Sequence, residues 1–153
     1  MAILELKKIK KEYTKGEQKV HALRGVDITI EKGEFLSIIG PSGSGKTTLL
    51  NIIGCLDSPT SGTVFYNRQK LAGLKEKGLS RYRKKNIGFI FQSFNLIPVL
   101  SVKENVELPL VIEKKWSKKE IAEKTLDILK AVGLVTMADR LPREISGGQE
   151  QRV

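Results

Sequence analysis

A nearly unbroken apolar run, Phe35 to Gly40 (FLSIIG), passes directly into a glycine-rich turn, and the turn passes into TTLLNIIG. The turn, Gly40-Pro41-Ser42-Gly43-Ser44-Gly45-Lys46-Thr47, fits the pattern G-x-x-x-x-G-K-[ST]. A run that is apolar at both parities predicts a strand buried on both faces, as in a parallel sheet covered by helices. The apolar stripe after the turn predicts a helix that stops at Gly54. Between the two, glycines let the backbone wrap a phosphate with several N–H groups pointing inward. The helix N-terminus adds a positive dipole end. Lys46 would place a point charge on the β- and γ-phosphates, and the Thr47 hydroxyl would ligate Mg²⁺. Thr48 would add a hydrogen bond near the α-phosphate. The loop thus predicts a nucleotide site made of Gly40, Ser42, Gly43, Ser44, Gly45, Lys46, Thr47 and Thr48. It does not choose among kinase, GTPase and ATPase. The guanine-reading N-K-x-D and the accompanying D-x-x-G do not occur.

The rest of the chain divides around this unit. Residues 3–9 (ILELKKI) and 26–30 (VDITI) alternate with period two and predict half-buried strands. The segment between them turns at Gly16. Asp57 to Gly62 is dense turn chemistry, TVFY (Thr63 to Tyr66) a short strand, and 71–85 a polar stretch that becomes helical towards its end. NIGFIFQ, Asn86 to Gln92, predicts a second buried strand. Beyond it, Ser101 with Glu104 and Ser117 with Glu120 form two capping boxes. The second opens a helix with Ala122, Leu126, Leu129 and Val132 on one face, stopped by Gly133. The expected organisation is a β-rich and phosphate-loop part, 1–92, and a helical part, 93–153.

Composition narrows the setting. With 153 residues the chain is about one domain long, and no apolar run approaches the ~18 residues of a membrane span. Cys55 is the only cysteine, so it predicts a buried small hydrophobe and no metal cluster. A cytoplasmic protein is the natural expectation. The formal net charge is +10. Its densest runs, Lys7–Lys11, Arg81–Lys85 and Lys114–Lys119, are spread out with little aromatic interleaving. That favours a solvated lysine-rich exterior over membrane proximity, with nucleic acid last.

Three further signals complete a pattern: Tyr13, 27 residues before Gly40; Gln92, closing the second apolar run; and Ile145-Ser146-Gly147-Gly148-Gln149. In the order aromatic, phosphate loop, glutamine, signature, the chain resembles the nucleotide-binding domain of an ATP-binding cassette (ABC) ATPase. LNIIGCLDSPTSG and GFIFQSFNLIPVLSVKENVELPL are similar to the lipoprotein-releasing and macrolide-exporter subfamily. Ile145 stands where leucine is common. The resemblance implies an α/β P-loop NTPase fold with an N-terminal antiparallel β part, a partial parallel-sheet core and a helical subdomain. It implies ATP and Mg²⁺ as cofactors, Tyr13 stacking on adenine, and Gln92 ligating Mg²⁺ or the attacking water. Ser93 to Pro98 would signal nucleotide state to a membrane permease. Ser146, Gly147, Gly148 and Gln149 would cap the γ-phosphate held by a second nucleotide-binding subunit in a head-to-tail dimer. The implied location is cytoplasmic, peripheral at the inner face of the membrane through the permease, with no specific nucleic-acid partner. His21 is not the family's switch histidine, because it precedes the phosphate loop. Asp57 is not the Mg²⁺-associated carboxylate, because it sits in turn chemistry.

The same resemblance implies groups absent from residues 1–153: the Walker B aspartate, the adjacent glutamate and the switch histidine. The expectation is therefore a truncated or partial cassette that binds nucleotide but hydrolyses little. In it, Phe35–Ile39 and Ile87–Phe91 would lack the strands between them and carry unpaired edges. Two alternatives stand beside a transporter ATPase subunit. One is a non-hydrolytic nucleotide-binding or interaction module; the other is a soluble relative acting on nucleic acid or ribosomes.

Overall fold

The computed structural model describes residues 1–71 and 74–153. They form two units, Met1–Phe89 and Ile90–Val153. The first is built on a long hairpin, β1 (Ala2–Lys15) and β2 (Gln18–Glu31), joined at Gly16-Glu17. The segment expected to be a connection is itself strand, with Tyr13 opposite Val20 and Glu12 opposite His21. His21 Nδ1 lies 3.1 Å from Glu12 Oε1, in keeping with its reading as a strand residue. Helix α1 (Lys46–Ile53) follows, then β3 (Ser61–Tyr66), β4 (Gln69–Lys70) and helix α2 (Glu76–Asn86). The sheet order is β2-β1-β3-β4, and every pairing is antiparallel.

The alternation expected over residues 3–9 breaks. Leu4, Leu6 and Ile9 are all buried, yet six to nine is an odd step, which in a regular strand would put Ile9 on the opposite face. A bulge resolves the parity. The register of β1 shifts after Leu6 against β2 and after Lys7 against β3. Lys8 takes a left-handed conformation (φ 51°), and its amide donates to Asp27 Oδ1 at 2.8 Å. Opposite the bulge, Gly62 (φ +97°) lies so close that a Cβ would sit 2.5 Å from the Lys8 carbonyl oxygen. Ile9 thereby joins Leu4, Leu6, Val64 and Tyr66 against Leu49 and Ile52 of α1 and Leu79 of α2 in one core.

A second set of bonds fastens the turn after α1 to β1. The Thr60 amide donates to the Lys10 carbonyl at 2.8 Å, and the Glu12 amide to Thr60 Oγ1 at 3.0 Å. Asp57 accepts from Lys11 Nζ at 2.5 Å, the Tyr13 hydroxyl at 2.8 Å and the Ser58 amide at 2.7 Å. Burial pushes the Asp57 carboxyl up, but these bonds outweigh it and hold it below its ordinary value. The end of α1 and the turn after it are held from outside: Tyr66 Oη donates to the Ile53 carbonyl, and Arg83 Nη1 to the Cys55 carbonyl. Cys55 is buried, as expected, and burial raises its thiol pKa.

The two apolar runs differ from expectation. Neither Phe35–Gly40 nor Ile87–Gln92 joins a ladder, and no parallel pairing occurs among the described residues. Phe35 is 95% exposed, Ile39 89% and Ile90 90%, so neither run is buried on both faces. A strand exists only where a neighbour takes up its N–H and C=O groups, and no described strand lies beside these. Ile38 and Ile87 still pack on the core, and the Phe89 ring lies on Gly54.

In the second unit, helices α3 (Val102–Glu113) and α4 (Lys118–Ala131) each open on the expected capping box. The first two amides of α3 are satisfied by the carbonyls of Arg140 and Ala138, both at 2.8 Å. Val102, Leu129 and Leu134 form the core, with Val106, Ile145 and Val153 packed around them. The apolar face expected for α4 is displaced. Ile121, Thr125 and Leu129 are buried, at i, i+4 and i+8, whereas Ala122 and Leu126 are exposed. The partner decides the face: apolar residues surround this helix, and α3 covers one line of them. Val132 does pack on the core. Two short 3₁₀ turns, Val135–Met137 and Pro142–Glu144, lead to helix α5, Gly147–Glu150.

Two outcomes follow. Gly62→Ala is expected to lower stability by ~1–3 kcal/mol, from left-handed strain and collision with Lys8. Gly88→Ala, where a Cβ meets open space, is expected to stay within ~0.5 kcal/mol by chemical denaturation. Asp57, whose folded pKa is depressed, contributes stability that is complete above the unfolded value of about 3.9 and fades as pH falls below it. The stability gap between wild type and Asp57→Asn is therefore expected to be constant near neutrality and to close as pH falls below about 3.9.

Candidate phosphate-binding site

The phosphate loop is seated on the hairpin. Gly45, the N-cap of α1, has φ +90°, and a Cβ there would lie 2.5 Å from the Ala22 carbonyl oxygen and 3.0 Å from Leu23 Cδ2 of β2. Only a residue without a side chain fits that contact. Within the loop the Ser44 amide donates to the Pro41 carbonyl at 3.3 Å, and the Leu49 amide to Gly45 at 2.8 Å. The amides of Lys46, Thr47 and Thr48 come before that first turn closes, so helix geometry gives them no intrahelical acceptor. No acidic residue occupies the first turn of α1. The positive end of the helix is therefore not offset by a neighbouring carboxylate.

Lys46 Nζ donates to the carbonyls of Gly40 and Pro41, both at 2.8 Å, which holds the ammonium across the start of the loop. Thr47 is exposed and Thr48 half-buried on the first turn. Ser42, Gly43 and Ser44 are exposed. The arrangement concentrates amide donors, one ammonium and hydroxyls on one helix end, the donor set that a polyphosphate needs. A cavity of about 140 Å³ elsewhere in this unit, lined by Ile52, Cys55, Val64 and Leu79, is behind the Asp57–Gly62 turn and shares no residue with the loop.

Tyr13 belongs to the same unit. Its ring is 40% exposed, its hydroxyl is held by Asp57, and Lys11 Nζ lies 4.9 Å from the ring centroid. Sequence reading missed this anchor, although turn chemistry marked Asp57 as a side chain with hydrogen bonds to make.

The remaining candidates lie in the second unit. Gln92 is exposed in a turn. The loop after it is fixed by Asn105 of α3, a residue the sequence patterns passed over. Its Oδ1 accepts from the Ile97 amide at 2.8 Å, and its Nδ2 lies within 3.2 Å of the Ile97, Leu100 and Ser101 carbonyls. Ser146, Gly147 and Gly148 are exposed, and a Cβ at either glycine would meet open space. Half-buried Gln149 folds back so that Oε1 accepts from the Ser146 amide at 2.8 Å. Arg152 Nη1 reaches the Val132 carbonyl at 2.9 Å and Nε the Gly148 carbonyl at 3.2 Å, while Val153 packs on the unit's core. Among the described residues no cluster of His, Cys, Asp and Glu is arranged to hold a metal by itself, and no helix is long and apolar enough to cross a membrane.

Comparison with known proteins places this geometry. Residues 23–153 match the family described as ABC transporter. The chain is 47% identical over 154 residues to the uncharacterized ABC transporter ATP-binding protein MJ0796 of Methanocaldococcus jannaschii, covering 99% of this chain and 66% of that one. It is 47% identical over 140 residues to the lipoprotein-releasing system ATP-binding protein LolD of Bacteroides thetaiotaomicron, covering 92% and 64%. The structure of MJ0796 as a dimer in a post-hydrolysis state bound to ADP and Pi superimposes with a TM-score of 0.87, over 97% of this chain and 66% of that one. The chain thus spans about two thirds of the length of such relatives. The chain shares the fold of the MJ0796 ATP-binding cassette, and it belongs to the ABC transporter family of ATPases.

Proposed function

We propose that the chain supplies the nucleotide-binding surface of an ABC transporter ATPase subunit, which couples ATP binding and hydrolysis to transport through a membrane permease. The observation that carries this reading is the seat of Gly45 on β2. It presents the uncapped start of α1, Lys46 and Thr47 together, with no carboxylate in that first turn to oppose a phosphate.

In this reading the loop amides of Gly43, Ser44, Gly45 and Lys46 hold the β-phosphate, with Gly40 and Ser42 shaping the turn. Lys46 moves from the Gly40 and Pro41 carbonyls to the β- and γ-phosphates. Thr48 bonds near the α-phosphate, and Tyr13 offers its ring face to adenine while Asp57 holds its hydroxyl. Mg²⁺ would take hard oxygen ligands, and Thr47 Oγ1 and Gln92 Oε1 are the side-chain oxygens proposed for it. The ion would neutralise charge on the phosphates. Gln92 would orient the water, and Ser93–Pro98 would carry the nucleotide state to the permease.

Ser146, Gly147, Gly148 and Gln149 would cap the γ-phosphate of a second, head-to-tail subunit. The exposure of Ser146, Gly147 and Gly148, and the tethering of the segment through Arg152 and Val153, suit a surface that is finished by a partner. The dimeric state of MJ0796 supports the presence of a second subunit. The location that goes with it is the cytoplasmic face of the membrane, through the permease.

Phosphoryl transfer to water needs a carboxylate that positions the nucleophile. No apolar strand ending in an acidic pair occurs in residues 1–153. We therefore propose that this polypeptide by itself binds Mg-ATP with little turnover, acting as a nucleotide-binding module.

Lys46→Ala is expected to weaken ATP binding roughly ten- to hundredfold, the loss of one charged hydrogen-bonding group, as read by calorimetric titration. Unchanged affinity in a folded variant would remove the phosphate-loop assignment. Phosphate release from the purified 153-residue chain is expected to stay at background while Mg-ATP raises its melting temperature. Turnover at a normal cassette rate would overturn the binding-only reading.

A further inference from the structure

One charged run finds no use in the nucleotide site. Lys114, Lys115, Lys118 and Lys119 lie at the tip of the α3–α4 hairpin, all four exposed. The sequence alone favoured a solvated face for them. The structure adds two features that a solvated face does not need. Val111 and Ile112, on the last turn of α3 beside the lysines, are 52% and 66% exposed. Trp116, the only tryptophan of the chain, sits among the lysines at the tip.

We propose that this tip docks on an anionic phospholipid surface. Exposed aliphatic side chains, an indole and a ring of ammoniums on one small protrusion are the composition that settles at a lipid headgroup boundary. There the apolar groups leave water while lysine heads stay among the phosphates. The acidic neighbours offset the charge at the tip only in part: residues 113–124 hold five lysines and three glutamates. The Glu120 carboxylate is engaged by Ser117, accepting from its amide at 2.8 Å and its hydroxyl at 2.7 Å. Glu113 Oε2 accepts from the indole N–H at 3.3 Å. The Lys119–Glu123 pair, at 4.0 Å, sets one acid weakly against one of the four lysines.

Lys115 and Lys124 hold their ammoniums 4.7 and 4.2 Å from the indole centroid. This keeps two cations and the aromatic in one cluster. A lipid phosphate is favoured over an acidic protein because exposed aliphatic side chains, Val111 and Ile112, flank the charges. Each lysine brought to an anionic surface adds roughly a fivefold gain in partition, screened by salt. The contact does not depend on the nucleotide-site reading.

Trp116 is a built-in probe. The purified chain is mixed with phosphatidylcholine vesicles with and without phosphatidylglycerol, and both co-sedimentation and tryptophan emission are read. Expected are binding and a blue shift only with phosphatidylglycerol, both lost in high salt. Replacing the four lysines by glutamine is expected to reduce binding at least tenfold, with circular dichroism checking that the helices persist. Binding to anionic vesicles without a blue shift, or binding that survives the fourfold replacement, would assign the effect to the chain's general +10 charge and overturn the proposal. Equal binding to neutral vesicles, or none to either, would overturn it too. So would retention on immobilised polyglutamate without vesicle binding, which would point to an acidic protein.

Discussion

Helix α1 is pinned to the β1–β2 hairpin at both ends, and the first unit depends on that. At its start Gly45 rests against the Ala22 carbonyl of β2 at a distance that admits no side chain. Past its end the Asp57–Gly62 turn is fastened to β1, through Lys11, Tyr13, the Lys10 carbonyl and the Glu12 amide. Between those points the helix has eight residues, about 12 Å at helical rise. A helix held at two points cannot rotate or slide, so its first-turn donors keep a fixed relation to the hairpin that carries Tyr13. Packing density then does the rest: Leu49 and Ile52 face the strand residues that the bulge at Lys8 has brought to one side.

The two units use different physics to expose backbone. The phosphate loop is exposed because its backbone is drawn into a turn whose contacts exclude side chains. The Ser146–Gln149 segment is exposed because its flanks are tied down, by Arg152 on the end of α4 and Val153 in the core, leaving the glycines outward. In both, rigidity comes from neighbours. Asn105 gives a third case, in which one side-chain amide meets four backbone groups and sets the path of residues 97–101.

Much of this was legible residue by residue. The loop, the stop at Gly54, both capping boxes, the turn at Gly16 and the burial of Cys55 all rest on interactions within a few positions, and the structure shows each. The strand at ILELKKI was legible as a strand but not as a bulged one. Alternation predicts the wrong face for Ile9 unless the insertion at Lys7-Lys8 is counted, and what demands it, the close approach of Gly62, lies more than fifty positions away. The α4 face was misplaced for a related reason. Leu126 and Leu129 are equally apolar, and only the position of α3 selects the line Ile121, Thr125, Leu129.

The sequence by itself determined where local chemistry must occur: a helix start rich in glycine with one lysine, serines that cap helices, a hairpin at a glycine. These follow from backbone sterics and short-range hydrogen bonds, which act before any tertiary contact exists. Tertiary structure alone decided which strand seats the loop and which carboxylate holds Tyr13. It also decided that the apolar runs 35–40 and 87–92 stay outside the ladder. A strand is a property of a pair, and no segment can satisfy its own extended backbone.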